Sequence, residues 1–268
     1  MIEPLLQLDQ HIDLVIPRGS NELVRSIKSK TQIPVLGHAD GLCTIYLRAD
    51  CPPETAVKIL IDAKTGYPAA CNSIETLLVD EDALEGVFAA VAEALLKRGV
   101  NLHCDSKSRQ CPALSKYALG FKNDEGHGVV SEATEKDFKT EFLDLTLAIK
   151  TIPSCTSAEQ AADVAIDHIN QFSSHHTDAI LTASADIASR FQTGVDSASV
   201  FWNTSTRMAD GQRYGFGTEV GISTSKIHAR GPVGLEGLTI YKWLLDGSGQ
   251  VAAEYGTGGK SWKHEKID

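Results

Sequence analysis

The sequence of 268 residues predicts an α/β protein with a largely parallel sheet. Short apolar runs typical of buried strands alternate along the chain with stretches whose apolar residues recur at helical spacing. Such alternation is the pattern of strand–helix–strand units. The composition, with 42% hydrophobic and 22% charged residues, is ordinary for a globular protein, and the length allows a sizeable core.

The first third of the chain begins this alternation. Ser20 is the predicted N-cap of the first helix. In chain order the predicted elements are strand Ile12–Ile16, helix Asn21–Lys30, strand Ile33–Leu36, strand Leu42–Leu47, helix Glu54–Lys64 and strand Glu75–Val79.

The remaining elements follow the same signals. Asp82 and Glu85 form a predicted capping box for a helix that ends at Gly99, and Ser157 with Gln160 begins a helix to about Phe172. The polar segment 101–137 is predicted to be a surface loop region with short helices. Further strands are predicted over Leu145–Ile149, Ala179–Thr182, Ser199–Trp202 and Tyr241–Leu245.

Charge and cysteine content narrow the class of protein. The net charge of −10 argues against bulk nucleic-acid binding, so an anionic ligand would need a few local cations. None of the six cysteines has CxxC spacing, so we predict no zinc ribbon and no metal site. We see no secretory signal and no apolar run of about 18 residues, which predicts a reduced, cytoplasmic setting without a membrane.

The segment Tyr67–Asn72 is the most informative part of the chain. It places Cys71 in a loop directly before a buried strand, where we expect the thiol to be firmly held, partly exposed and anionic. Pro68 stiffens the approach, while Ala69 and Ala70 leave room for a ligand. A buried structural cysteine remains the alternative. Five histidines are candidates for orienting the thiol, and the sequence places none of them: His38, His168, His175, His176 and His228.

Three segments carry cations beside small polar residues. Pro17–Ser20, with Arg18, lies at a strand-to-helix turn, where backbone N–H groups favour anions. Asn203–Arg207 and Ser223–Pro232 combine hydroxyls with Arg or Lys, as a carboxylate or phosphate site would. An ordinary turn or solvated loop remains the alternative for each segment.

Several of these motifs together resemble one family. The residues concerned are Asp13–Ser20, Pro34–Gly41, Tyr67–Thr76, Ser174–Ile180, Phe216–Thr224 and His228–Pro232. In this order they are similar to γ-glutamyl phosphate reductase, also called glutamate-5-semialdehyde dehydrogenase, of the aldehyde dehydrogenase superfamily. The resemblance implies an aldehyde dehydrogenase-like catalytic domain with the remaining part of a Rossmann-type cofactor domain.

The resemblance also implies the reaction. γ-Glutamyl phosphate would be reduced with NADPH to glutamate 5-semialdehyde and phosphate, in proline biosynthesis, through a thioester on Cys71. Hydrolytic aldehyde dehydrogenases carry a glutamate base in a Glu-Leu-Gly-Gly type segment, whereas the matching Val35–Gly41 contains no glutamate. The resemblance predicts Gly19, Ser20 and Glu141 for the cofactor. For the substrate it predicts Asn72, Asn203, Ser205, Thr206 and Arg207.

The resemblance further predicts a domain plan. Residues 1–41 would be the remnant of the NADPH-binding domain, residues 42–235 the catalytic domain, and residues 236–268 an oligomerisation strand and tail, so we expect a homo-oligomer. Family members carry roughly 100–200 further residues before this point, including the asparagine of the oxyanion hole. A noncatalytic remnant of the enzyme therefore remains the alternative, and a thioester-forming hydrolase is a weaker one.

Overall fold

Seven parallel strands form one sheet in the computed structural model, which describes residues 2–19, 21–37, 40–117, 126–226 and 229–265. The strands are β1 Cys43–Leu47, β2 Ile74–Asp80, β3 Asn101–Cys104, β4 Val130–Glu132, β5 Thr146–Ile152, β6 Thr177–Leu181 and β7 Ser199–Trp202. Their order across the sheet is β4-β3-β5-β2-β1-β6-β7, with every neighbouring pair parallel. Two short strands, β8 Gly221–Ser223 and β9 Gly231–Val233, pair antiparallel beside it. The predicted α/β class is confirmed.

Five helices accompany the strands: α1 Asn21–Lys30, α2 Pro53–Thr65, α3 Val87–Leu96, α4 Ala158–Phe172 and α5 Ala185–Gly194. The start of α4 is as predicted, because Ser157 Oγ accepts a hydrogen bond from Gln160 N at 3.2 Å. The predicted capping box of α3 is wrong. Asp82 lies in a separate 3₁₀ turn, where its carboxylate accepts from Ser154 Oγ at 3.0 Å, and Gly86 precedes the helix.

Two apolar cores lie on the two faces of the sheet. Ile45 and Leu47 of β1 pack in the core formed with α2 and α3, whereas Tyr46 between them packs with Phe191 in the core of α4 and α5. Successive strand residues point to opposite faces, so β1 is buried along its whole length. Because both faces are covered, the strands read as continuous apolar runs.

The segment 101–137 is more ordered than its composition predicts. β3 and β4 lie within it and occupy one end of the sheet, with 3₁₀ turns at Ser108–Gln110 and Pro112–Tyr117. Asn101 and His103 alternate with two buried residues along β3, which hides the strand signal. The expectation of a loop region is therefore wrong for these two strands, while the short helices are present.

The two strands predicted near the start of the chain form only one β-bridge with each other. Within Ile12–Ile16 and Ile33–Leu36 the ladder consists of the single parallel bridge between Val15 and Val35. Helix α1 between them does form, and Ile27 packs with Leu6 in a small apolar cluster.

The chain divides into two compact units, residues 1–238 and 239–268. In the second unit, Tyr255 forms a bridge with Lys260 and stacks on Trp262 with ring centroids 4.4 Å apart. The predicted strand Tyr241–Leu245 forms no ladder within the described residues of this chain, and its role in oligomerisation stays a prediction. Across the described ranges, every helix falls short of the length and apolarity that crossing a bilayer requires.

Candidate active site

Cys71 lies in the turn between α2 and β2, at the edge of the sheet where the parallel strands begin. Two consecutive turns shape this segment, because Ala70 N donates to Tyr67 O at 3.1 Å and Ser73 N donates to Ala70 O at 2.8 Å. The cysteine is half-buried, as expected, whereas Cys43 beside it is fully buried. A thiol in this position is held by backbone hydrogen bonds and still reaches the surface.

The entry to β1 packs directly against this turn. A Cβ atom on Gly41 would lie 2.5 Å from Cys71 O and 2.7 Å from Cys71 Cα, so a glycine is needed for the backbones to approach this closely. Cys43 Sγ also donates to Cys71 O at 3.3 Å. Gly41 and Cys43 thus fix the position of the Cys71 backbone.

The electrostatics of the thiol differ from the expectation of an anionic sulfur. Burial, followed by the carboxylates of Glu219 and Glu141, raises the pKa of Cys71 to about 11, while Arg207 acts in the opposite direction. The resting state at neutral pH is therefore the thiol. The expectation of a resting thiolate is wrong, mainly because the sulfur is removed from water and secondly because two carboxylates lie near it.

Glu141 lies beside the Cys71 turn. It follows the 3₁₀ turn Asp137–Lys139 and precedes β5, and its Oε1 accepts a hydrogen bond from Gly41 N at 2.9 Å. The same oxygen would lie 2.6 Å from a Cβ on Gly41. The structure therefore brings Glu141 and Cys71 together, although they are 70 residues apart in the sequence.

Arg207 reaches the same turn from the other side. Its guanidinium donates to Asn72 Oδ1 and lies over the ring of Tyr67, 5.9 Å from the centroid. Asn72 is buried, and its Nδ2 donates to Ala209 O at 2.9 Å, so both ends of its amide bind the protein. Next to Cys71 there is thus a cation held between an amide and an aromatic ring.

The other predicted substrate residues occupy different positions. Ser205 Oγ accepts from Arg207 N at 3.2 Å and so caps the 3₁₀ turn Thr206–Met208. Thr206 is fully buried within that turn, and its Oγ1 has no hydrogen bond from the described residues. Both residues therefore support the segment that carries Arg207.

Asn203 is set apart from this group. It follows the carboxyl end of β7, whereas Cys71 precedes the amino end of β2, and all strands between them are parallel. Its amide donates to Thr182 O at 2.9 Å and accepts from Thr182 N at 3.0 Å. In this structure the Asn203 side chain therefore links the end of β7 to the end of β6.

The predicted cofactor turn is described in part. Gly19 precedes α1 with φ of +151°, and a Cβ there would lie 2.6 Å from the side chain of Leu23, so this position is confined to glycine. Arg18 donates to Val220 O, next to β8. Ser20 lies outside the described residues.

The histidine candidates give no partner for Cys71 among the described residues. His168 is packed between the rings of Phe138 and Phe172, and burial lowers its pKa to about 4. His175 has a buried Nδ1 without a hydrogen-bond partner in the described part of the chain. His38 and His228 lie outside the described residues.

Sequence reasoning missed four residues that shape this site. Gly41, Tyr67 and Glu219 stand within the motifs quoted above, but no local signal marks them as neighbours of Cys71. Glu75 lies within the predicted strand and forms a buried ion pair with Lys64. The one local signal for Glu75 is that it is an acidic residue within an otherwise apolar run.

No family model matches the chain, whereas individual relatives do. A probable γ-glutamyl phosphate reductase from Schizosaccharomyces pombe is 52% identical over 273 aligned positions, and a γ-glutamyl phosphate reductase from Methanosarcina mazei is 49% identical over 268. Each alignment covers 100% of this chain and 56% of the relative. The chain thus spans about half the length of the curated relatives it matches.

Solved structures agree with these relatives. The crystal structure of γ-glutamyl phosphate reductase from Thermotoga maritima superposes with a TM-score of 0.82 at 37% identity, covering 93% of this chain and 55% of that one. A probable aldehyde dehydrogenase from Listeria monocytogenes superposes with a TM-score of 0.65 at 17% identity, covering 91% and 59%. An engineered glycolyl-CoA reductase with bound NADP⁺ gives 0.56 at 12%, covering 82% and 53%. The fold is therefore aldehyde dehydrogenase-like.

Proposed function

Because the chain belongs to the γ-glutamyl phosphate reductase family, we propose that it takes part in the NADPH-dependent reduction of γ-glutamyl phosphate to glutamate 5-semialdehyde and phosphate, in proline biosynthesis. The observation that carries the proposal is the convergence of Cys71, Glu141 and Arg207 at one edge of the sheet. These residues come from three distant parts of the chain.

Cys71 is the proposed nucleophile. Its sulfur attacks the acyl carbon of γ-glutamyl phosphate, the bond from that carbon to the phosphate oxygen breaks, and inorganic phosphate leaves with the bonding electron pair. The product on the enzyme is a thioester, which divides one difficult step into two easier ones. When bound, NADPH supplies the hydride that reduces this thioester, and aldehyde release returns the sulfur to the enzyme.

The raised pKa of Cys71 sets a condition on the first step. With a pKa of about 11, only about one thiol in ten thousand is ionised at pH 7. Arg207 favours the thiolate, whereas Glu219 and Glu141 oppose it. We infer that this small ionised fraction carries out the attack, with the thiol proton passing to solvent and with Arg207 as the cation that favours the thiolate.

Arg207 is the proposed binding residue for the carboxylate or phosphate of the substrate. A guanidinium presents a planar fork that matches carboxylate or phosphate, and stacking on Tyr67 limits its rotation. Asn72 and Ser205 support this role by binding Arg207 and its turn. Asn203 and Thr206 stay predictions from the family resemblance, because in this structure they face other parts of the protein.

The residues present also suit a nicotinamide cofactor. The Glu141 carboxylate lies beside the Cys71 turn and has the chemistry to accept hydrogen bonds from ribose hydroxyls. Gly19 leaves a bare backbone before α1, where an anionic phosphate group would be favoured. We propose that Glu141, Gly19 and Ser20 hold NADPH.

The test uses the thiol itself. We expect Cys71→Ser to abolish reductase activity and to remove one site of iodoacetamide labelling, which mass spectrometry of peptides locates. Cys155→Ser is the matched control, because Cys155 is the other half-buried cysteine and the remaining four are buried. Labelling of Cys71 should accelerate as pH rises from 7 toward its pKa of about 11. Labelling of Cys43 or Cys155 with an inert Cys71 would refute the assignment.

The alternative is a protein that keeps the fold without catalysis, and the raised pKa of Cys71 favours it. Titration with NADPH up to millimolar concentration separates the two functions. A saturable change in NADPH fluorescence supports the reductase. Unchanged fluorescence in a folded sample supports the noncatalytic protein.

A further inference from the structure

Directly behind the Cys71 turn lies a fully enclosed ion pair. Lys64 at the end of α2 and Glu75 in β2 are 0% and 1% exposed, and Lys64 Nζ donates to Glu75 Oε2 at 2.7 Å. Enclosing two charges is unfavourable, and replacing such a pair by apolar residues is often neutral or stabilising. Stability alone therefore gives little reason for this pair, which points to a role in positioning.

The lysine end of the pair fixes the Cys71 turn to helix α2. Lys64 Nζ also donates to Ile74 O at 2.9 Å, three residues after Cys71. The neighbouring Ser73 Oγ donates to Ala63 O at 3.2 Å. The turn is thereby attached to the helix immediately after the cysteine.

The glutamate end of the pair reaches the segment that carries Glu141. Glu75 Oε1 accepts a hydrogen bond from Leu143 N at 3.2 Å. Leu143 has φ of +58°, an uncommon backbone conformation for a residue with a bulky side chain. Its side chain is 47% exposed, so burial of the side chain does not account for this conformation. Glu75 thus binds the backbone amide of a residue in an unusual conformation.

Together these contacts form a closed loop of residues that includes Cys71. From Glu75 the loop passes through Leu143 to Glu141, whose Oε1 accepts from Gly41 N, and Gly41 packs against the Cys71 backbone. From Cys71 the turn returns to Lys64 through Ile74. The positions of nucleophile and Glu141 thus depend on one buried pair.

We propose that Lys64 and Glu75 are positioning residues that set the Cys71 turn against the Glu141 segment. The effect of these two residues on catalysis rests on the proposed function. The contacts that join the Cys71 turn to the Glu141 segment do not depend on that function. Misplacement of reacting groups by about 1 Å can cost roughly a hundredfold in rate.

Two double variants test the hydrogen bond between Glu75 and Leu143. In Lys64→Met/Glu75→Leu the charges are replaced by apolar side chains, and Leu143 N loses its acceptor. In Lys64→Met/Glu75→Gln the charges are also removed, but the amide oxygen can still accept from Leu143 N. The second variant is thus a matched control that differs in one hydrogen bond. The single variant Glu75→Gln serves if the Leu variant does not fold, since its amide has one acceptor oxygen where the carboxylate uses two, so either Lys64 Nζ or Leu143 N loses its partner at unchanged volume.

The measurements are hydrogen exchange of residues 141–144 and the rate of Cys71 alkylation, with Cys155 as internal reference. We expect the Leu variant to exchange at this segment about fivefold faster or more, while the Gln double variant exchanges there near the wild-type rate. Both double variants lose the hydrogen bond from Lys64 Nζ to Ile74 O, so we expect both to change the rate of Cys71 alkylation. Exchange and alkylation unchanged in the Leu variant, or changed equally across the whole sheet, would overturn the proposal. An unreactive Cys71 in the wild-type protein would instead contradict the proposed function, and the exchange data would still decide the positioning role.

Discussion

At the scale of single residues, the candidate site depends on close approach as much as on chemistry. Gly41 allows the start of β1 to touch the Cys71 backbone, and its amide binds Glu141. Arg207 is oriented by Asn72 and Tyr67. The reactive groups are thus placed by neighbours that take no part in bond making.

Substitution of Gly41 tests this directly. In Gly41→Ala the new Cβ would lie within 2.7 Å of Cys71 Cα and 2.6 Å of Glu141 Oε1, so the turn must shift. We expect a loss of about 1–3 kcal/mol in the free energy of unfolding, as for other overpacked sites, and slower alkylation of Cys71. Urea unfolding and mass spectrometry measure the two effects.

Gly37→Ala is the matched control within the same motif. Its Cβ would meet Pro17 Cγ at 3.4 Å and Pro17 Cδ at 3.6 Å, which are ordinary contacts. The close-approach argument is wrong if both variants lose the same stability and label Cys71 at the same rate.

At the scale of elements, helix α4 illustrates how burial makes stability depend on pH. His168 on this helix stacks on Phe172 with ring centroids 4.5 Å apart and meets Phe138 edge-on. Burial, followed by the charge of Lys150, lowers its pKa from 6.5 to about 4. The folded state therefore favours the neutral imidazole, while the unfolded chain takes up a proton more readily.

The sign of the pH effect follows from this difference. The contribution of neutral His168 is fully present above about pH 6.5 and is lost as pH falls toward 4, up to about 3 kcal/mol. Raised pKa values of Asp178 and Glu75 act in the opposite sense, so the informative quantity is the difference between wild type and His168→Gln. We expect the stability deficit of the variant to shrink between pH 7.5 and pH 4.5 in urea unfolding. A deficit that stays constant with pH would contradict this origin. His11→Gln, an exchange of a histidine at an exposed position, is the control variant.

At the scale of the whole molecule, the second unit presents an unusual surface. Ile240, Tyr241, Trp243, Leu244 and Leu245 are between 78% and 96% exposed. The sequence predicts here a strand used in oligomerisation, and within this chain these residues have no strand partner in the described structure. A strand needs a neighbour to complete its hydrogen bonds, so the prediction concerns an assembly of chains.

We expect the wild-type protein to sediment as an oligomer of its 28.8 kDa chain, and Leu245→Asp to shift it toward the monomer. Sedimentation velocity measures the species. Val251→Asp, also at an exposed apolar position of this unit, is the control. A monomeric wild-type protein would refute the predicted role of residues 236–268.

Local sequence signals were sufficient wherever a segment carries its own structural determinants. The N-cap of α4 at Ser157, the bounds of β7 and the cysteine-bearing turn before β2 were all predictable, because capping groups, apolar runs and Pro are read within a few residues. The family resemblance, likewise carried by short motifs, was confirmed by relatives.

Tertiary structure alone decided which of these segments meet. It places Glu141 and Gly41 against Cys71 and Asn203 at the opposite edge of the sheet. It also raises the pKa of the thiol through burial and nearby carboxylates. The physical reason is that contacts and desolvation depend on residues far away in sequence, which no local pattern records.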